Sequence, residues 1–197
     1  EHVSGLRRVH SRCELLDANA VRCVNQHDKL GLREEPLLLM EFHGSAASVA
    51  EQARTVQELA TDQGGKAFEW ATTPEERSRL WTARHRAYFA GMAAHPGSRT
   101  VTTDTCVPIS RLADCIGFAV READAAGLPY YIVGHVGDGN FHVAYLIDPA
   151  QPAQRVRPLD LPSAPQSLPP VVARIAPLSL PASATVPLAT RPPVQPL

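Results

Sequence analysis

Two histidines on either side of a glycine-rich turn have a spacing that suits metal chemistry. The segment Val133–His142 reads VGHVGDGNFH. Its Asp138-Gly139 pair lies between apolar runs and predicts a type I′ hairpin, because that turn needs positive φ at both central residues. With a two-residue loop, His135 lies directly opposite His142, and cross-strand Cβ atoms are roughly 4.5–5.5 Å apart. Two neutral imidazoles placed in this way can share one divalent ion.

Other interpretations fit the same spacing. A longer loop over Gly137–Asn140 would loosen the geometry, and a tight turn whose histidines only pack or hydrogen-bond is about as well supported. A catalytic zinc-like site generally takes three protein ligands and keeps one position open. The segment supplies no third ligand, because Asp138 sits in the turn and is expected to stabilise it. The spacing alone therefore leaves both a metal site and a plain turn open.

The elements that must position this hairpin alternate along residues 1–150. Strands are predicted for the short apolar or alternating runs Pro36–His43, Lys66–Trp70, Thr100–Val107, Tyr130–His135 and Phe141–Ile147. Helices are predicted at Arg12–Asn25, from Ser45 to Gly64-Gly65, from a capping box at Thr73–Glu76, and from Ser110 to Gly127. This alternation indicates an α+β fold, an antiparallel sheet covered by helices.

Composition narrows the class of protein. The net charge is −1 and no long run of Lys and Arg occurs, which argues against a nucleic-acid partner. No run of 18 apolar residues occurs, which excludes a membrane span. The four cysteines include no C-x-x-C pair and are expected to be buried or helical thiols. The expected location of the protein is therefore the reducing cytoplasm, with at most a peripheral association with a membrane. Glu1 begins no signal peptide, so we expect the chain to begin inside a longer protein.

Composition changes near Gln151. Residues 152–197 hold 12 of the 18 prolines and none of the 12 glycines. Proline at this density removes backbone donors and disfavours helix interiors and central strands. We therefore expect two regions, a folded part at 1–150 and a Pro-rich tail at 151–197 that is disordered or polyproline-like.

The hairpin segment Gly134–His142 resembles the G-H-x-G-D-G-N-x-H signature of the FAD-linked oxidases. That family includes cytochrome-type D-lactate dehydrogenase, glycolate oxidase and D-2-hydroxyglutarate dehydrogenase. Further blocks resemble the family in the same order, namely Arg12–Asp17, Glu41–Ser45, Leu80–Arg84 and Asp104–Ser110. The resemblance is strongest to the D-lactate branch. It implies the C-terminal substrate and metal domain of such an enzyme, a ferredoxin-like cap domain.

The resemblance also implies roles for individual residues. In the family the two histidines of the signature bind a divalent metal, zinc or manganese, which carries over to His135 and His142. Asn140 of the same signature becomes a contact to the cofactor. The arginine of the Leu-Trp-x-x-Arg block binds the substrate carboxylate, which carries over to Arg84 and agrees with the forked shape of a guanidinium. Arg84 shares a predicted helix face with Tyr88, which favours this role over that of an exposed helical arginine.

The implied reaction is the oxidation of a small 2-hydroxy acid. The substrate's C2 hydride passes to the flavin N5 of FAD, and the electrons pass to an acceptor such as a cytochrome or a quinone. The metal would act as a Lewis acid on the substrate's hydroxyl and carboxylate. Ala144 and Thr102 stand where the hydroxyglutarate branch has a polar residue and a lysine, which indicates a monocarboxylic substrate, D-lactate.

Two parts of the family pattern are absent from the sequence. No FAD-binding domain precedes the matched blocks, and no Gly-Glu-His-Gly motif follows them, the motif whose Glu is the family's third metal ligand and whose His is its general base. We therefore assign no catalytic residue and expect an incomplete fragment, inactive alone. We hypothesise that the tail comes from a frameshifted or truncated gene. This idea fails if neither neighbouring reading frame encodes Gly-Glu-His-Gly.

Two alternatives come from other functional classes. A non-catalytic metal-binding α+β module would take up metal as an isolated chain and would not depend on flavin. A decayed remnant would express poorly, expose apolar surface and aggregate.

Overall fold

The computed structural model describes residues 12–71 and 73–151, and the backbone of residues 172–176. The helices in these ranges are α1 (Ala18–Asp28), α2 (Ala46–Asp62), α3 (Pro74–Ala94) and α4 (Ile109–Ala126). The strands are β1 (Arg12–Leu16), β2 (Leu37–Glu41), β3 (Arg99–Cys106), β4 (Tyr130–His135), β5 (Asn140–Ile147) and β6 (Val172–Ala176). The chain divides into two compact units. Of the described residues, one unit holds 12–13, 39–71 and 73–82, and the other holds 14–38, 83–151 and 172–176.

The first unit is built on α2. Ser45 caps this helix as predicted, because its hydroxyl accepts a backbone hydrogen bond from the first turn at 3.3 Å. One apolar face of the helix forms a small cluster with the residue that follows β2, comprising Phe42, Val49, Ala53 and Val56. Helix α3 begins in the same unit with the predicted capping box. Thr73 Oγ1 accepts from Glu76 N at 3.2 Å, and Glu76 Oε2 accepts from Thr73 N at 3.0 Å.

The second unit contains an antiparallel sheet. Its strands β1, β4, β5, β3 and β6 are neighbours in that order, and each neighbouring pair is antiparallel. One face of the sheet packs against α4. The buried residues of this core are Val107, Leu112, Cys115, Ala123, Leu128, Ile132, Phe141, Val143, Tyr145 and Ile147. Helix α4 ends at Gly127, whose φ of 65° suits a residue without a side chain.

The opposite face of the sheet is covered in part by α3. Tyr131 points to this face because successive residues of a strand alternate and its neighbour Ile132 belongs to the core against α4. The Tyr131 side chain is buried, and Gly91 of α3 packs directly on its ring. A Cβ at position 91 would collide with Tyr131 Cε1. The close approach of helix and sheet therefore depends on glycine at this position.

The sequence-based prediction of a helix over Arg12–Asn25 is wrong at its start. Residues 12–16 form β1, and α1 begins only after Asp17, whose carboxylate accepts a hydrogen bond from the first turn at 2.8 Å. In so short a run, Leu15 and Leu16 fit a helical period and an alternating strand equally well. This run forms a strand because it pairs with β4, which is distant in sequence.

Two smaller predictions are also wrong. Residues 66–70 form no strand, and Ala67 has a φ of 56° that interrupts any extended run. Ser110 lies inside α4 instead of capping it, because Pro108 occupies the capping position. The other predicted strands are confirmed, as is the α+β fold with an antiparallel sheet covered by helices.

The Pro-rich tail, predicted to be disordered over 151–197, contains one described element. Val172–Ala176 forms β6 and pairs with β3, and the division into a folded part and a tail stays a prediction. The rest of the predicted tail, residues 152–171 and 177–197, lies outside the described residues.

The four cysteines carry free thiols. Cys13, Cys23 and Cys115 are buried as expected, but Cys106 is exposed in β3 and fits neither part of the expectation. Across the described residues, none of the helices combines the length and the apolar character needed to cross a bilayer.

Asp17 leads to a prediction about pH. Burial raises the pKa of Asp17 to about 6, and the backbone hydrogen bond from Ala20 opposes this only in part. A carboxyl group whose pKa rises on folding stabilises the fold below about pH 4, and this contribution is lost as the pH rises through the folded pKa. Asp17→Asn keeps a capping oxygen. It should raise the free energy of unfolding by roughly 1–3 kcal/mol at pH 7 and change it little at pH 4. Urea unfolding at the two pH values measures the difference, and an equal shift at both would contradict the argument.

Candidate functional site

The hairpin between β4 and β5 has a different turn from the predicted one. Its loop is four residues long, a 3-10 turn over Val136–Asp138 followed by Gly139 at a φ of 75°. Asp138 is not among the residues with positive φ, so the turn is not type I′. His135 pairs with Asn140, not with His142, so the predicted register is wrong.

The two histidines nevertheless share one face of the sheet. The observed register differs from the predicted one by two residues, and an even shift leaves every side chain on its original face. His135 and His142 are therefore diagonal neighbours instead of a direct pair. Their ring centroids are 5.8 Å apart and the ring planes are 85° apart. The side chains are 41% and 23% exposed, so both rings reach solvent.

Gly139 closes this hairpin against the chain segment after β3. Its carbonyl accepts a hydrogen bond from Val107 N at 2.9 Å. A Cβ at position 139 would collide with the Val107 carbonyl oxygen. The turn therefore needs glycine for its backbone angle and also for the close approach to Val107.

A buried carboxylate that sequence reasoning missed joins two of the predicted site residues. Glu14 of β1 has a side chain only 2% exposed. Its Oε2 accepts from Arg84 Nε at 2.8 Å, and its Oε1 contacts His135 Nδ1 at 2.8 Å. One signal could have revealed it, since an acid in an apolar strand needs a partner. The helical interpretation of this segment hid that signal.

The partners of His135 determine which of its nitrogens carries the proton. A carboxylate only accepts, so His135 Nδ1 must donate to Glu14. Arg84 Nη2 lies 3.4 Å from His135 Nε2, and a guanidinium only donates, so Nε2 must carry a lone pair. Both neighbours require the same tautomer. It is the neutral form whose Nε2 can bind a metal ion.

His142 is held in an equivalent state by different groups. Its Nδ1 donates to the Thr103 carbonyl at 3.1 Å and lies 3.5 Å from Asp104 Oδ1. Burial lowers the pKa of His142, and the backbone hydrogen bond and Asp104 offset this only in part. The ring is therefore neutral at pH 7, with its lone pair on Nε2.

Arg84 is not an exposed helical arginine. Its side chain is 16% exposed and projects from α3 to Glu14 on β1 and His135 on β4. The structure thus brings Arg84 and His135 together, with His142 beside them on the same face. A guanidinium next to two imidazoles can bind an anion that also contacts a metal.

Asn140 lies between the histidines on the same face and is held within the sheet. Its Nδ2 donates to Asp104 Oδ1 at 2.8 Å and to the Thr105 carbonyl at 3.1 Å. With both amide hydrogens engaged, only Oδ1 remains for contact with another molecule. Any cofactor group bound by Asn140 would have to be a hydrogen-bond donor.

The two histidines meet two requirements of a metal ligand, an oriented ring and a lone pair on Nε2. Each imidazole has Nδ1 engaged and its lone pair on Nε2, the arrangement found in metal-binding histidines. On His135 this lone pair faces Arg84 Nη2 at 3.4 Å, so a metal ion would take the place of that contact. No group of three or more His, Cys, Asp and Glu side chains in the described part of the chain could hold a metal ion. The two histidines therefore fit as part of a site, and the described residues add no third ligand.

Glu41 and His43 form a separate pair in the first unit. Glu41 has a side chain 2% exposed, and its Oε1 contacts His43 Nε2 at 2.9 Å, whereas His43 is 65% exposed. The two residues are two positions apart, so they fall on one face of the extended segment that continues from β2. The pair is a useful reference for Glu14, since both are buried glutamates that contact a histidine.

The chain matches a known family over most of its length. A family model described as "FAD linked oxidases, C-terminal domain" matches residues 3–160. The chain is 43% identical over 139 residues to the "Probable D-lactate dehydrogenase, mitochondrial" of Danio rerio, covering 71% of this chain and 28% of the relative. It is 40% identical over 145 residues to the "D-lactate dehydrogenase [cytochrome], mitochondrial" of Arabidopsis thaliana, covering 74% and 26%.

A more distant match is the "Glycolate oxidase subunit GlcD" of Escherichia coli K12, 26% identical over 150 residues, which covers 75% of this chain and 30% of the relative. The chain spans less than a third of the length of these relatives. The family match extends over well more than half of the chain and includes every residue of the site. The chain therefore belongs to the FAD-linked oxidases, as a member of their C-terminal domain family.

Proposed function

We propose that this chain is the metal-binding and substrate-binding part of an FAD-dependent D-2-hydroxy-acid dehydrogenase that oxidises D-lactate. The family match and the relatives named D-lactate dehydrogenase support the class of reaction. The chain alone is incomplete in this proposal, because the flavin is bound mainly by a domain upstream of it.

One observation carries the proposal. Arg84, His135 and His142 converge on one face of the sheet, with Arg84 Nη2 3.4 Å from His135 Nε2 and the two ring centroids 5.8 Å apart. A fixed cation beside two imidazole lone pairs suits a substrate that carries a carboxylate next to a metal-binding oxygen. A 2-hydroxy acid has both groups on adjacent carbons.

The chain's own residues bind and orient in this mechanism. His135 and His142 would hold a divalent metal, zinc or manganese, through Nε2. When bound, the metal supplies Lewis-acid polarisation of the substrate's hydroxyl and carboxylate oxygens. Arg84 binds the carboxylate and sets the direction of the C2–H bond. The proposal assigns the general base that takes the hydroxyl proton to none of the residues described above.

Cofactor and partners follow from the same proposal. FAD would supply the hydride-accepting chemistry for the C2 position, and a cytochrome or a quinone is the proposed electron acceptor. Asn140 would contact the cofactor through Oδ1, which accepts from a donor group. The predicted cytoplasmic location stays a prediction, and the names of two relatives place those proteins in mitochondria.

A small substrate is favoured by one cross-strand pair near the histidines. Thr102 and Ala144 lie opposite each other on β3 and β5, and both are buried. Ala144 is two residues from His142, so the pair is on the site's face of the sheet. Thr102 Oγ1 is buried and has no hydrogen-bond partner among the described residues. Neither side chain offers a charge for a second substrate carboxylate.

Flavin reduction tests the proposed activity. The chain would be expressed alone and also joined to the FAD domain of a D-lactate dehydrogenase relative, and flavin bleaching by D-lactate would be followed. We expect no reduction by the chain alone. Reduction by the joined protein requires that a third metal ligand and a general base are also supplied. Bleaching by the isolated chain would overturn its description as incomplete. Metal binding without any reduction in a joined protein that carries these groups would favour a non-catalytic module.

Metal affinity tests the site itself. We expect the 197-residue chain to bind Zn²⁺ or Mn²⁺ in competition with a chromophoric chelator, and His135→Ala and His142→Ala each to weaken binding at least 10-fold. His43→Ala is the control, because His43 is an exposed histidine in the other unit. Equal affinity in all four proteins would remove the metal from the proposal. Aggregation of the unmodified chain with no metal uptake would favour a decayed remnant.

A further inference from the structure

We propose that Glu14 is a positioning residue, which holds Arg84 and His135 together so that a substrate carboxylate and a metal ion can be bound side by side. This inference rests on the proposed function. It goes beyond it by assigning a role to a residue on β1, the strand farthest along the chain from the histidine hairpin.

The geometry of Glu14 is that of a shared anchor. Each of its two carboxylate oxygens has a different partner at 2.8 Å, Arg84 Nε for one and His135 Nδ1 for the other. These partners come from positions 70 and 121 residues away in sequence. With its side chain only 2% exposed, Glu14 has no access to water as an alternative partner. One side chain thus contacts both groups, which also approach each other, with Arg84 Nη2 3.4 Å from His135 Nε2.

Only a carboxylate can make both contacts. Arg84 Nε and His135 Nδ1 are both donors, so the residue between them must accept at two separate oxygens. A glutamine has the same size but replaces one oxygen with an NH₂ donor. In Glu14→Gln, one of the two contacts therefore becomes donor against donor. The variant tests the anchor while leaving the volume of the side chain almost unchanged.

Loss of the contact to His135 has a consequence that can be observed directly. Glu14 requires the proton of neutral His135 to be on Nδ1, which places the lone pair on Nε2, the nitrogen that would bind the metal. A glutamine amide can instead donate to Nδ1, which stabilises the opposite tautomer, with the proton on Nε2. That tautomer has no lone pair to offer at the metal position.

Nitrogen NMR of the metal-free, ¹⁵N-labelled 197-residue chain measures this tautomer at a pH where the imidazoles are neutral. We expect His135 in the unmodified chain to carry its proton on Nδ1, and to shift partly or wholly to Nε2 in Glu14→Gln. Glu41→Gln is the matched control, another buried glutamate that contacts a histidine, and it should leave the His135 signals unchanged. A proton on Nε2 of His135 in the unmodified chain would overturn the inference without recourse to any variant.

Metal titration gives the second readout. Competition for Zn²⁺ should show Glu14→Gln weakened 10- to 100-fold, as expected for a residue that orients a metal ligand, and Glu41→Gln unchanged. Weakening by His135→Ala without any effect of Glu14→Gln on affinity or tautomer would sink the role of Glu14 and leave the metal site standing. If no chain binds metal while the tautomer still depends on Glu14, the metal part of the proposed function fails and the anchor is supported.

Discussion

Replacement of Arg84 with alanine should lower the free energy of unfolding by about 3–5 kcal/mol, the range measured when one partner of a buried ion pair is removed. The reason is the carboxylate that remains. Glu14 is almost fully buried and would lose the guanidinium that now contacts its Oε2. Chemical unfolding followed by circular dichroism at pH 7 measures the change. In the background of Glu14→Gln, the effect of Arg84→Ala should be clearly smaller, because no buried charge is then left without its cation.

A second arginine of α3 provides the control. Arg79 contacts Glu69 at 3.0 Å, a distance close to that of Arg84 and Glu14, but both of its side chains are about half exposed. Exposed pairs contribute about 0–1 kcal/mol because water screens them. Arg79→Ala should therefore cost under about 1 kcal/mol. If the two variants lose similar stability, burial does not set the strength of the Arg84 contact and the description of the site is wrong.

The second large effect is expected at the turn between the histidines. Gly139→Ala should lower the free energy of unfolding by roughly 2–5 kcal/mol, the sum of a side chain at positive φ and an overpacked contact. The new Cβ would meet the Val107 carbonyl, so the hydrogen bond from Val107 N would also be disturbed. Because His135 and His142 flank this turn, Zn²⁺ affinity should fall together with stability.

Gly127→Ala separates the two causes. Gly127 also has a positive φ, 65°, but a Cβ there would meet nothing within 4 Å. This variant should lose only the backbone contribution, roughly 1–2 kcal/mol, and should bind Zn²⁺ like the unmodified chain. Equal losses from the two variants would mean that Gly139 is required for its angle alone. The close approach to Val107 would then have no role.

The hairpin shows both the reach and the limit of sequence reasoning. The glycine-rich turn between two apolar runs correctly predicted strands at both ends, because these signals are local. The loop length could not be predicted from Asp138-Gly139, since the turn is selected by the contact of Gly139 with Val107, more than 30 residues away. The prediction that both histidines lie on the same face of the sheet was still correct, because the error in register was an even number of residues.

Local signals were also sufficient at the start of α3. Thr73 and Glu76 make the predicted reciprocal hydrogen bonds, which involve only residues three positions apart. The start of α1 was missed for the opposite reason. Residues 12–16 become a strand through pairing with β4, which lies more than 100 residues later.

Glu14 shows why the candidate site was incomplete when derived from sequence. Its immediate neighbours Cys13 and Leu15 are apolar, and the two partners that fix its side chain at the site lie 70 and 121 positions away in the chain. The partners become visible only when three separate elements meet in the fold. Recognition of motifs identified Arg84, His135 and His142, residues expected to contact bound molecules. It did not identify the group between them.

Gly91 is expected to affect the position of the Arg84 side chain. It is seven residues after Arg84, two helical turns or about 10 Å along α3, so the two project from the same side of the helix. Without a side chain at position 91, α3 lies directly against the Tyr131 ring. Arg84 is on the same helix, so we expect its guanidinium to move with α3 when the distance between α3 and the sheet changes. A methyl group added there would act as a spacer, lifting the helix and drawing the guanidinium away from Glu14. The position of the Arg84 guanidinium is thus expected to depend on the absence of a side chain at Gly91, two helical turns away.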